Sequence, residues 1–259
     1  VLVADDNAVN LKVACAMLLK LGYDVRTASD GREAVEAVAQ AAAQGRPLSA
    51  VLMDVNMPDV DGLQATRQIR TVWGEAAPPI IALTAAASAE DRARCEAAGM
   101  QDYLTKPLQV SALAHTLERW IAPDSAQAPA PQSAAPQPLG SETVMDFTRL
   151  QEFRDYDDEE LSMTREVIDL FVADAPQRLQ AIADAVDRGD APALSQAAHA
   201  LKGAAGNIGA VAMQEAAAQL EAQARQGWPA DAAAQVDALR ALWERTRDAL
   251  AGWPERPAQ

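Results

Sequence analysis

Basic residues are scarce in this 259-residue chain: 22 Lys and Arg stand against 37 Asp and Glu, a net charge of −15. Such a balance repels a polyanion such as DNA unless one face is locally basic, so nothing here reads as a nucleic-acid module. Cysteine is scarcer still. Cys15 and Cys95 are the only two; they sit in alanine-rich helical segments without metal-ligand spacing and read as reduced core thiols. A disulfide-stapled miniprotein is excluded, and at ~150 residues per domain the length predicts two domains. Long apolar runs are also missing. None approaches the ~18 residues of a membrane span, and no basic stretch followed by an apolar one opens the chain. A soluble, unexported segment without membrane contact is expected. It begins at Val1, inside what reads as a strand, so a longer parent chain is expected too.

What is present changes character along the chain. Between Ala122 and Glu142 lie Pro123, Pro129, Pro131, Pro136 and Pro138, with no Lys, Arg or aromatic residue. Such a stretch buries too little apolar area to offset its ordering entropy, so residues 122–142 are expected to be an interdomain linker. Ahead of it, short β-type runs alternate with helical ones. Val1 to Ala4, Asp24 to Ala28, Ala50 to Met53, Ile80 to Leu83 and Asp102 to Thr105 read as strands. Ala8 to Leu21, Asp30 to Gln44, Gly62 to Val72, Ala89 to Ala98 and Gln109 to Trp120 read as helices. This alternation predicts a doubly wound α/β domain over residues 1–121, with a five-stranded parallel sheet. Residues 143–253 instead carry Ala, Leu, Gln, Glu and Arg at helical periodicity. Breaks at Pro176, Gly189 with Asp190, Gly206 to Gly209 and Gly227 to Pro229 predict an all-α bundle of four or five helices, with 254–259 as a tail. The bundle is the more acidic half: residues 1–121 hold 11 basic and 15 acidic side chains, residues 143–259 hold 11 and 20.

In an open parallel sheet, ligands bind beyond the carboxyl ends of the strands, where the strand order reverses. Strand one ends in Asp5 and Asp6, strand three in Asp54, strand four in Thr84, and strand five in Thr105 and Lys106, followed by Pro107. Crowded carboxylates stay ionised only beside a cation, and all-oxygen ligation suits Mg²⁺ or Mn²⁺. Lys106 adds a charge that can partner a phosphoryl oxygen. Each residue alone has an ordinary explanation, as a helix N-terminal residue, a turn residue or a surface charge. Five at successive strand ends do not. Asp54 closes the apolar run Ala50, Val51, Leu52 and Met53, which fixes it at the sheet edge, and a cis bond before Pro107 would aim Lys106 inward.

These residues lie in four stretches: A-D-D-N-A-V-N near the start, L-M-D-V-N-M-P-D-V-D-G-L around Asp54, A-L-T-A at Thr84 and D-Y-L-T-K-P at Lys106. Together they resemble the receiver domain of two-component response regulators, most closely that of hybrid sensor kinases, over about residues 1 to 121. The resemblance implies a flavodoxin-like fold with Asp54 as phosphoacceptor. It implies that Asp5, Asp6, Asp54 and the Asn56 carbonyl hold Mg²⁺, that Thr84 and Lys106 contact the phosphoryl group, and that Tyr103 is a switch aromatic.

Only two histidines occur, His115 and His199. His115 has no acid or metal partner at helical spacing and reads as structural. His199 sits in H-A-L-K-G-A-A-G-N-I-G. At about 100° per residue, Lys202, Gly203 and Gly206 fall within about 60° of His199, while Leu194, Ala198, Leu201, Ala205 and Ile208 cluster opposite. An exposed stripe backed by a core stripe is predicted. Each glycine costs a helix ~1 kcal/mol relative to alanine, which argues for access to the imidazole, and Lys202 can neutralise a phosphoryl charge. This segment resembles the histidine-containing phosphotransfer (HPt) domain, a helical bundle with one phosphorylatable histidine, over about residues 143 to 253. His199 matches the phosphorylation site and Lys202 and Gly203 its neighbours; Ala204 and Ala205 stand where the family often has serine.

The resemblances imply a phosphorelay module that takes a phosphoryl group on Asp54 and passes it through His199. Its partners would be a histidine kinase domain, in cis or in trans, and a downstream response-regulator receiver. No dimerisation-helix histidine or ATP-lid glycine run is visible, so the expected parent is a cytoplasmic hybrid kinase or the cytoplasmic part of a membrane-anchored one. Two alternatives stay open, a phosphorylation-dependent binding switch and a phosphate sink without onward relay.

Overall fold

Three apolar runs form the middle of a sheet because both of their faces are covered. β1 (Leu2–Ala4), β3 (Val51–Asp54) and β4 (Ile80–Thr84) are buried throughout, which is why they read as continuous rather than alternating patterns. The edges β2 (Arg26–Ala28) and β5 (Asp102–Thr105) keep exposed or half-buried residues. All pairings are parallel, in the order β2-β1-β3-β4-β5. This is the doubly wound, flavodoxin-like sheet, and its order reverses between β1 and β3. The β2 run is shorter than expected: pairing begins at Arg26, which lies opposite Leu2, rather than at Asp24.

Helices α1 (Ala8–Lys20), α2 (Gly31–Ala43), α3 (Gly62–Trp73), α4 (Ala89–Ala98) and α5 (Val110–Ile121) follow the strands in turn. Side chains that accept from otherwise orphaned amides set three of their starts. Asn7 caps α1 through Val9 and Asn10, Asp30 caps α2 through Glu33, and Asp61 caps α3 through Gln64. α3 starts directly against β3, and only glycine permits this: a Cβ on Gly62 would lie 2.0 Å from the Asp54 carbonyl oxygen. Cys95 is buried, whereas Cys15 is only half-buried on α1, so one of the two expected core thiols is not in the core.

The computed structural model describes residues 1–84, 89–121, 143–154, 157 and 162–253. The chain divides into two compact units, Val1–Ala135 and Pro136–Gln259. The expected linker 122–142 and tail 254–259 lie outside the described residues. No helix among those described is long and apolar enough to cross a membrane.

The second unit holds α6 (Thr148–Arg154), α7 (Ser162–Arg188), α8 (Ala191–Asn207), α9 (Val211–Gln226) and α10 (Ala232–Ala251). Phe171 of α7 meets Trp243 of α10 edge-on, with ring centroids 5.8 Å apart. The core stripe read on α8 is buried in full, from Leu194 through Ala198, Leu201 and Ala205 to Ile208 just past its end. One expected break is absent, because α7 runs through Pro176. An internal proline forfeits a backbone hydrogen bond and crowds a carbonyl, at a cost of about 3 kcal/mol. Pro176 is exposed, so water can take the freed carbonyl, while Phe171, Ala175, Leu179 and Ile182 tie both halves of α7 to one core. The turn between α8 and α9 depends on Gly209, at φ 76°, whose carbonyl accepts from the Asp146 amide at 2.7 Å. A Cβ there would lie 2.0 Å from the Asp146 carbonyl oxygen.

Candidate functional site

Past the carboxyl ends of β1 and β3, oxygens of Asp5, Asp6 and Asp54 lie within 4.8 Å of one another. Asp5 and Asp54 are buried. The Lys106 ammonium sits 2.6 Å from Oδ2 of each, joining the two carboxylates. The Lys106 backbone N–H donates to the Thr84 carbonyl at 2.7 Å, and its peptide bond to Pro107 is cis. Thr84 closes β4 directly beside the end of β3, where Leu83 is in register with Asp54. The Asn56 amide donates to Asp54 Oδ1 at 3.2 Å. Tyr103 is half-buried on β5, with the Arg92 guanidinium 4.4 Å from its ring centroid.

The Lys106 ammonium joins two of the three carboxylates, and all three lie close enough to repel one another. Burial, with the Asp5 and Asp6 charges added, pushes Asp54 up to about 6 against the pull of Lys106. Burial alone would lower the Lys106 ammonium; the Asp54 and Asp5 carboxylates overcome this and hold it above its ordinary value. The donors of the cluster are all oxygen, which fits a hard divalent ion of the Mg²⁺ type.

The second unit places a histidine in the opposite kind of pocket. His199 is not openly exposed: α9 covers it, leaving its side chain 15% exposed. Its Nδ1 lies 2.8 Å from Oε1 of the buried Glu221. Lys202 Nζ donates to Glu221 Oε2 and Arg225 to Oε1, both at 2.6 Å. Burial would raise the Glu221 carboxyl, but the hydrogen bonds from His199 and Lys202 and their charges outweigh it and bring Glu221 down to about 2. Glu221 is therefore ionised at neutral pH and can only accept, so Nδ1 carries the proton. In the neutral imidazole the lone pair is then on Nε2.

Gly203 lies half-buried one turn from His199. Gly206 departs from the expected exposed stripe: it is buried, and a Cβ there would meet Gln214 Nε2 of α9 at 2.7 Å. A neighbouring helix, α9, covers the sector that helical phase alone assigns to solvent. His115 is half-buried on α5.

Residues 1–118 match the model of the response regulator receiver domain, and residues 166–249 match that of the Hpt domain. The chain is a receiver domain joined to an Hpt domain. The receiver part is 39% identical over 125 residues to hybrid signal transduction histidine kinase H of Dictyostelium discoideum, covering 47% of this chain and 9% of that protein. It is 41% identical over 124 residues to the sensor protein GacS of Pseudomonas syringae, covering 46% and 13%. A solved structure, the receiver domain of sensor histidine kinase PA1611 from Pseudomonas aeruginosa with magnesium ion in its active site cleft, is 44% identical. It covers 47% of this chain and 95% of that one, with a TM-score of 0.42. The chain thus spans a small fraction of the length of the curated relatives it matches. The pairing of receiver and Hpt domains places it in two-component phosphorelay signalling. Within the Hpt domain, Glu221 and Arg225 are candidates absent from the sequence reading. Their only local signal is an i, i+4 acid–base pair on α9, which looks like any solvated helix face.

Proposed function

We propose that the chain takes a phosphoryl group on Asp54 from a phosphohistidine and that His199 carries such a group onward to a response-regulator aspartate. One observation supports this above others. A carboxylate in a crowded acid cluster and an imidazole whose Nδ1 is tied to an ionised acid occur in one chain, each in the domain type suited to it.

In the first step an Asp54 oxygen attacks phosphorus in line as the donor P–N bond breaks, and the donor imidazole leaves with the electron pair. Lys106 neutralises charge on the phosphoryl oxygens, and the Thr84 hydroxyl donates to one of them. Asp5, Asp6, Asp54 and the Asn56 carbonyl are the residues to hold Mg²⁺, with Mn²⁺ as a substitute; the bound ion supplies charge neutralisation. In the second step His199 Nε2 attacks an aspartyl phosphate, the P–O bond breaks, and the carboxylate leaves. The phosphorylated ring keeps its Nδ1 proton and becomes cationic, and Glu221 stabilises it there. Lys202 balances the phosphoryl charge, and Gly203 leaves room beside the ring.

The donor is a histidine kinase domain, in cis or in trans, the recipient a response-regulator receiver, and the compartment the cytoplasm. The Arg92 contact to Tyr103 favours a second reading in which the receiver is a binding switch and the bundle only a docking element. One assay separates them. The full chain is incubated with a phosphorylated kinase domain and Mg²⁺, and acid-labile phosphohistidine is separated from acyl phosphate and mapped to residues. Label on Asp54 followed by label on His199 is expected; label that stays on Asp54 selects the switch, and no label on residues 1–121 overturns both.

A further inference from the structure

Asn10 is the last residue of the A-D-D-N-A-V-N stretch. It occupies the third position of α1, in the first turn, yet its side chain is buried. Asparagine is a poor helix former, and a buried amide must find partners, so the position calls for a reason. A helical side chain leans toward the N-terminus of its helix, and here that direction leads back to the end of β1. Asn10 Nδ2 lies 2.8 Å from Oδ1 and 3.0 Å from Oδ2 of Asp5. The Asn7 backbone N–H donates to Asp5 Oδ1 at 3.0 Å, and Lys106 takes Oδ2. Asn7 in turn caps α1 through the amides of Val9 and Asn10, so the turn that carries Asn10 is itself fixed.

We infer that Asn10 is a positioning residue for the acid cluster, holding the Asp5 carboxylate in one orientation toward a divalent cation. The chemistry suits the task. The amide satisfies a buried carboxylate without adding charge, so it orients Asp5 and leaves the negative potential of the cluster intact. A second lysine would orient Asp5 equally well but would cancel that potential. Outer-shell partners of this kind are worth roughly 10- to 100-fold in metal affinity. The inference rests on the reading of Asp5, Asp6 and Asp54 as the cation site.

The test is calorimetric titration of the full chain with Mg²⁺ at constant pH, alongside thermal unfolding. The proteins are wild type, Asp6→Asn, Asp5→Asn, Asn10→Leu and the double variant Asp5→Asn with Asn10→Leu. Asn10→Leu is expected to keep the fold and bind Mg²⁺ about 10-fold more weakly. In the Asp5→Asn background the same change is expected to have no further effect, because the group it positions is gone. A merely structural role would lower affinity equally in both backgrounds, and that result overturns the inference, as does unchanged or tighter binding by Asn10→Leu. Mg²⁺ binding by Asp6→Asn equal to wild type strikes instead at the cation site itself. If Asn10→Leu does not fold, Asn10→Ala, which favours the helix, is measured in its place with the same expected results.

Discussion

The two sites carry opposite charge balances. In the receiver, three carboxylates crowd together, one ammonium joins two of them, and the Asp54 carboxyl is pushed up to about 6. In the Hpt domain one carboxylate is shared by an imidazole, an ammonium and a guanidinium, and it is brought down to about 2. The receiver site, as proposed, would take a divalent cation. The Hpt site already contains its positive charge and has a spare one to offer a phosphoryl group. In the proposed relay the difference separates the help each nucleophile would receive: Asp54 from an added ion, His199 from the fixed partner that sets its tautomer.

The sharpest way to break this comparison is to remove each nucleophile. Asp54→Asn is expected to abolish acyl-phosphate label on residues 1–121, since an amide is a poor nucleophile and a weaker metal ligand. His199→Gln is expected to leave that label intact and eliminate phosphohistidine on the bundle. Mapping label in both variants checks the pair; label persisting on the altered unit in either one contradicts the assignment.

Chelation comes next in size. Removing divalent ions is expected to stop acceptance by Asp54 while both units stay folded, because the metal neutralises a local cluster rather than a core. The measurement is labelling beside circular dichroism with and without excess chelator. Equal labelling in both would mean that Lys106 alone suffices and that the receiver site needs no added cation.

How much of this was legible beforehand differs between the sites for a physical reason. The receiver could be read nearly whole because a parallel sheet converts sequence order into spatial order: each strand ends at the same edge, so Asp5, Asp54, Thr84 and Lys106 converge without any knowledge of packing. The Hpt site depends on which helix lies against which. Helical phase placed His199 beside Lys202 and Gly203, but no spacing rule links His199 to Glu221 on the next helix. The same limit explains Gly206, whose sector proves to be filled by Gln214, and Pro176, where packing on both sides outweighs a local breaker.

Glu221→Gln sharpens the comparison at its less legible end. Without the anion, His199 loses its fixed tautomer, and transfer through the bundle is expected to slow by roughly 10- to 100-fold while Asp54 labelling is unchanged. The linkage has a definite sign. A carboxyl lowered from 4.5 to about 2 contributes stability that is fully present above pH 4.5 and is lost as pH falls toward 2. The gap in unfolding midpoint between wild type and Glu221→Gln should be widest near neutral pH and close as pH falls toward 2. A gap independent of pH would show that Glu221 acts through packing rather than charge.

The smallest effect separates the two glycines of the α8 stripe. Gly203→Leu places a branched side chain one turn from the His199 ring, so transfer should slow while the helix gains up to about 1 kcal/mol from the lost glycine. Gly206→Ala should gain a similar amount from propensity and lose part of it in moving Gln214, whose amide is the flexible end of an extended side chain and gives way readily. Its net change in stability is expected within about 1 kcal/mol, with the transfer rate of wild type. Rates and unfolding midpoints for the two variants decide the matter together. Slowed transfer in Gly206→Ala alone would move the access path to the α9 side of the imidazole, which would make Gln214 rather than Lys202 the side chain a docking partner meets first.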